Sequence, residues 1–151
     1  MAKPTDSRRP GVLDIHPIDL TSEITISYHN TSIQAGFPSP ADDYVESPID
    51  LNKELIPHPV STFMGRVRGD SMKDAGIFDD DLLIIDKSLK PKNGDIAVCF
   101  IDGEFTIKYI KIGPKNVWLV PANDEYTPIK ITPENDFIIW GIVMYSIRKH
   151  H

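Results

Sequence analysis

Apolar positions fall into short runs from Ser61 onward, each closed by turn-forming residues. Phe63-Met64-Gly65-Arg66-Val67-Arg68 is one such run and Leu82-Leu83-Ile84-Ile85 is another. The second has no polar alternation, as expected for a strand buried on both faces. Ile96 to Ile101 and Phe105 to Ile112 flank Asp102-Gly103, a strong signal for a tight hairpin. Val117-Trp118-Leu119-Val120 and Phe137 to Ile147 add further strands, separated by Pro- and Asn-rich turns. The pattern predicts a mainly β domain with short helices, built on a curved, partly closed sheet.

Upstream the pattern thins. Residues 1–38 read as an N-terminal arm punctuated by Pro4, Pro10 and Pro17, in which only Ile24-Thr25-Ile26-Ser27-Tyr28 alternates like a strand. Residues 39–151 form the β-rich domain. Pro38 to Val45 predicts a short helix start, with Ser39 as cap, Pro40 in the first turn and Asp42 and Asp43 at the positive end of the helix dipole. A second short helix is expected between Ile49 and Ile56, stopped by Pro57 and Pro59. Neither is long enough to make a helix-turn-helix, so direct sequence-specific DNA binding is not expected.

Composition narrows the function classes. The 151 residues include 16 basic and 22 acidic side chains, for a net charge of −6, which argues against a bare nucleic-acid surface. No apolar run approaches the roughly 20 residues needed to span a bilayer. The first residues also lack the apolar stretch of a secretory signal. The one cysteine, Cys99, has no internal partner, which suits a reducing cytoplasm.

Two residues carry the candidate chemistry. Ser71, within Gly69-Asp70-Ser71-Met72, becomes a nucleophile only if a base takes its proton. Lys108, 37 residues later in a strand pattern, can be that base only if the fold keeps its amine neutral. Each has a plainer reading. Ser71-Met72-Lys73-Asp74 fits a capping box, and Lys108 could snorkel from a half-exposed strand. Placed at a sharp turn, Ser71 would instead present its oxygen outward, with the Ser71 and Met72 amides facing a developing oxyanion. His16, His29 and His58 lack ligand-like spacing, and no metal or other cofactor is expected. Cys99 reads as a small core residue, and Asp79-Asp80-Asp81 as a solvated tight turn that lacks the positions of a calcium loop.

Several segments together resemble the UmuD proteins. Ala35-Gly36-Phe37-Pro38-Ser39-Pro40-Ala41-Asp42-Asp43-Tyr44-Val45-Glu46, continued by Ile49-Asp50-Leu51-Asn52, is similar to their cleavage region. Gly69-Asp70-Ser71-Met72 with Gly76-Ile77 and Asp81 to Asp86 resembles their serine segment, and Asp102 to Lys108 their lysine segment. The wider group includes the LexA repressor and phage repressors, which share the catalytic domain.

The resemblance implies a self-cleaving serine peptidase with Ser71 as nucleophile, Lys108 as general base and Ala35–Gly36 as the scissile bond. It also implies a cytoplasmic homodimer with a mobile arm, stimulated after DNA damage by a RecA filament on single-stranded DNA. The trimmed form would then serve a UmuC-type translesion polymerase as its accessory subunit. UmuD proteins commonly carry Cys-Gly at the bond, whereas this chain has Ala-Gly as the repressors do, and its arm is longer by about ten residues. The alternatives are a LexA-type self-cleaving repressor, which needs a helix-turn-helix, and a catalytically silent polymerase-interaction module.

Overall fold

The computed structural model describes residues 14–21, 25–29, 33, 35–37 and 46–151. They belong to two compact units. One comprises the described residues up to Ile18 together with Val60–His151, and the other the described part of Asp19–Pro59.

The larger unit is an eight-stranded antiparallel sheet in the order β1-β4-β5-β10-β6-β7-β8-β9. Its strands are β1 (Asp14–Pro17), β4 (Thr62–Arg66), β5 (Leu82–Asp86), β6 (Ile96–Ile101), β7 (Glu104–Ile112), β8 (Val117–Val120), β9 (Ile129–Lys130) and β10 (Phe137–Ile147). The mainly β expectation is met, and β5 to β8 and β10 lie within a residue of their predicted runs. The β6–β7 hairpin turns on Asp102 and Gly103, whose φ angles of 48° and 91° are the two positive values a tight twisted hairpin turn requires.

Strand β1 falls within the stretch read as an arm. It pairs with β4, setting Ile15 opposite Gly65 and Pro17 opposite Phe63. Ile15 packs against the core, while Pro17, which has no N–H to donate, sits on an edge strand.

The sheet buries side chains on both faces. Val67, Met72, Ile77, Leu83, Ile85, Val98 and Ile107 form one core cluster, and Ala97, Cys99, Ile110, Leu119 and Ile142 form the other. Alternate residues of β6 serve opposite clusters: Val98 the first, Ala97 and Cys99 the second. That explains the unbroken apolar run in this strand. The long β10 joins the halves by pairing with β5 on one side and β6 on the other, with a register shift on each. At Gly141 the strand passes so close to β5 that an added Cβ would stand 2.6 Å from Ile85 Cγ2.

In the smaller unit, β2 (Thr25–His29) pairs antiparallel with β3 (Glu46–Asp50), and β3 runs into α1 (Leu51–Leu55). The helix predicted over Ile49–Ile56 is shorter at both ends. Asp50 is extended (φ −94°, ψ 109°) and its carboxylate accepts from Asn52 N at 3.0 Å, so it caps the helix rather than joining it. The helix start predicted over Pro38–Val45 lies outside the described residues.

Gly141→Ala is expected to destabilise the larger unit by about 1–3 kcal/mol, because β5 must give way to the new methyl group. Urea denaturation read by tryptophan fluorescence checks this.

Candidate active site

Ser71 and Lys108 meet across the larger unit. Lys108 Nζ lies 2.9 Å from Ser71 Oγ, 2.8 Å from Thr106 Oγ1 and 2.9 Å from the Ile107 carbonyl oxygen. The lysine is 7% exposed, whereas Ser71 is only half-buried and lines a cleft of about 240 Å³. The cleft walls include Val67, Gly69, Asp70, Phe105 and Tyr126.

Local packing explains how the serine is presented. Gly69 has φ +94°, a backbone conformation costly for any side chain, and its N–H donates to Asp79 Oδ1 at 2.7 Å. Met72 is 2% exposed within the first core cluster, so the residue after Ser71 anchors the turn in the core. A short 3-10 turn, Lys73–Ala75, follows. Its cap is Met72 and it receives no side-chain hydrogen bond. The capping box therefore does not form, and the Ser71 hydroxyl is directed to Lys108. Among the described residues, neither the Ser71 nor the Met72 N–H has a hydrogen-bond acceptor.

Electrostatics around Lys108 favour a neutral amine. Burial holds its pKa below the usual lysine value. The nearby Cys99 thiol supplies no compensating charge, because burial pushes its own pKa up to about 12. When the amine is charged, its three N–H bonds go to the Ser71, Thr106 and Ile107 oxygens. A neutral amine has two N–H bonds, which can go to Thr106 Oγ1 and to the Ile107 carbonyl, an obligate acceptor. Its lone pair then accepts from the Ser71 hydroxyl, which is the arrangement a general base needs.

Of the three aspartates, Asp79 and Asp80 are exposed as expected of a solvated turn, whereas Asp81 is buried, and all three hold hydrogen bonds. Asp79 takes the Gly69 N–H, Asp80 accepts from Arg66 and Arg68, and Asp81 is bidentate with Arg148. The same Arg148 donates to the Gly76 carbonyl at 2.8 Å, tying the end of β10 to the turn after Ser71. Its guanidinium also holds the Asp81 carboxyl below the usual carboxylate range. Among the described residues no cluster of His, Cys, Asp or Glu could hold a metal ion. Ala35, Gly36 and Phe37 are exposed and belong to the other unit.

Sequence reasoning did not single out Thr106, Asn123 or Tyr126. Thr106 sits two residues before Lys108 on the same strand face. Asn123 and Tyr126 come from a distant turn and reach Asp70 through hydrogen bonds of 3.0 and 2.7 Å. Only the position of Thr106 within the alternating strand pattern could have flagged any of them.

A serine hydroxyl hydrogen-bonded to a buried lysine amine stands at the mouth of a cleft in a β sheet, which brings the parts of a nucleophile and its base together. The Peptidase S24-like family profile matches residues 26–144. Protein ImpA of Salmonella typhimurium is 44% identical over 116 residues, covering 77% of this chain and 79% of that protein. Protein MucA of Escherichia coli is 38% identical over 127 residues, covering 83% and 86%. A LexA repressor from Ectopseudomonas mendocina is 39% identical over 118 residues, covering 78% of this chain and 57% of the repressor. The chain belongs to the Peptidase S24-like family and, within it, to the UmuD proteins.

The buried amine has a consequence for stability. Below its lowered folded-state pKa, Lys108 is charged in both states and the folded state bears the desolvation cost. As pH rises from that value toward the unfolded-state one, the unfolded chain holds more protons, so stability increases. Urea midpoints of the wild type should therefore rise relative to Lys108→Met as pH climbs from the lowered folded-state pKa toward the ordinary lysine value. Parallel curves would show that the amine is not buried as described.

Proposed function

We propose that this protein is a self-cleaving serine endopeptidase whose substrate is its own Ala35–Gly36 bond. One observation carries the reading: a half-buried Ser71 hydroxyl 2.9 Å from a buried Lys108 amine that no carboxylate neutralises among the described residues. Neutral Lys108 takes the Ser71 proton as Oγ attacks the Ala35 carbonyl carbon. The oxyanion accepts hydrogen bonds from the Ser71 and Met72 N–H groups. As the intermediate collapses, the Ala35–Gly36 C–N bond breaks and Lys108 passes its proton to the departing Gly36 amine. Water, deprotonated by Lys108, then hydrolyses the Ala35 ester and frees Ser71. Alanine and glycine at the bond give the backbone close access to the serine. Tethering supplies a high effective molarity, so a weak dyad suffices.

On this reading residues 1–38 act as the arm that is cut, and residues 39–151 as the catalytic and interaction domain. The further role follows from membership among the UmuD proteins. The protein acts as a cytoplasmic homodimer in mutagenesis after DNA damage, with cleavage stimulated by a RecA filament on single-stranded DNA. The trimmed form then serves a UmuC-type polymerase during translesion synthesis. A LexA-type repressor is disfavoured, since the described residues contain one α-helix of five residues and no helix-turn-helix.

Purified full-length protein incubated at increasing pH should release a fragment ending at Ala35, identified by intact mass. The rate should climb as Lys108 deprotonates. Ser71→Ala and Lys108→Ala should each slow it by roughly 10⁴-fold or more. The same cut persisting in Ser71→Ala would defeat the mechanism. Failure of the trimmed form to bind a UmuC-type polymerase subunit would defeat only the role in translesion synthesis.

A further inference from the structure

The peptide groups flanking Ser71 are held in place by a segment that contributes nothing to the dyad. Residues 122–126, between β8 and β9, lie beside residues 70–74. Asn123 is 4% exposed; its Nδ2 donates to the Asp70 carbonyl at 3.0 Å and its Oδ1 accepts from Glu125 N at 3.0 Å. Ala122 N donates to the Ser71 carbonyl at 2.8 Å, and the Ala122 carbonyl accepts from Asp74 N at 2.8 Å. From the cleft side, the Tyr126 hydroxyl donates to Asp70 Oδ1 at 2.7 Å.

These bonds have a directional effect. A trans peptide unit is a rigid plate whose C=O and N–H point opposite ways. Holding the Asp70 carbonyl therefore aims the Ser71 N–H, and holding the Ser71 carbonyl aims the Met72 N–H. Both carbonyls are engaged by the 122–126 segment, while neither N–H has an acceptor among the described residues. Within the turn the Asp70 carbonyl also accepts from Lys73 N at 3.1 Å, so Asn123 adds a second restraint from outside it, and a donor for an oxyanion is effective only when already aimed.

We propose that Asn123 is a positioning residue for catalysis. It fixes the Asp70–Ser71 peptide so that the Ser71 N–H points at the oxygen of the scissile carbonyl as negative charge develops there. Ala122 does the same for the Ser71–Met72 peptide, and Tyr126 steadies Asp70 from its side chain. The inference rests on Ser71 being the nucleophile and adds to that reading a second layer that prepares the oxyanion site.

The test uses full-length protein carrying Asn123→Leu, which is close in shape, adds no charge and has no donor for the Asp70 carbonyl. Two readouts are combined. One is the first-order self-cleavage rate across pH, and the other is the affinity of Ser71 for a peptide boronic acid ending in alanine, whose tetrahedral adduct mimics the intermediate. The plateau rate should fall about 10- to 100-fold, short of or equal to the loss of one oxyanion donor. Boronate affinity should fall by a similar factor. The pH midpoint should stay where it is, because the surroundings of Lys108 are untouched.

General loosening of the fold would instead let water reach Lys108 and move the midpoint. A plateau within twofold of wild type, or a loss that comes with a shifted midpoint, overturns the proposal. If circular dichroism shows Asn123→Leu unfolded, Tyr126→Phe decides: its residue is 43% exposed and its loss leaves the core intact. Cleavage slowed about 3- to 10-fold with an unmoved midpoint supports the proposal, and a wild-type rate overturns it. A wild-type chain that never cuts would strike the self-cleavage reading, while the boronate comparison would still decide this one.

Discussion

Everything distinctive about this molecule depends on one unfavourable placement: a buried lysine amine whose hydrogen-bond partners among the described residues are neutral oxygens. A surface lysine is charged at neutral pH and useless as a base. Burial of Lys108 disfavours that charge, and among the described residues no carboxylate pairs with it to restore it. Cys99 shows how consistent the environment is, since the same burial keeps its thiol protonated. The cost of such a site falls on stability, and the surrounding sheet bears it through core clusters on both faces.

The serine half of the site is a problem of aim rather than acidity. Three kinds of restraint converge on residues 69–76. Met72 plugs into the core, Asp79 and Arg148 pin the two ends of the turn, and Asn123 with Tyr126 braces Asp70. These restraints come from four parts of the chain, so the site is a product of the whole larger unit. Its chemistry is accordingly that of preorganisation: little need move for the hydroxyl to be shared with the amine.

How much of this could be read in advance depended on the range of the interactions. The β6–β7 hairpin was legible because Asp102-Gly103 encodes the turn locally, and the buried β5 run announced itself by composition. Strand β1 was not, because Asp14-Ile15-His16-Pro17 has a single aliphatic residue and becomes a strand only by pairing with the edge of β4. The local pattern misled at Ser71, where a capping box was available but the hydroxyl found Lys108 instead. Asn123 and Tyr126 left no mark, since they reach Asp70 across 53 and 56 residues. The Ser71–Lys108 pair itself was legible only as one part of a longer family-like frame.

The most direct test of the account is the protonation of Lys108 itself. Selective isotope labelling of lysine, with the Lys108 resonance assigned by comparison with Lys108→Met, allows its side-chain chemical shift to be followed by NMR across pH in an uncleavable Ser71→Ala background. The account predicts a titration below the ordinary value of a free lysine. Titration near 10.4, as for a free lysine, would contradict it.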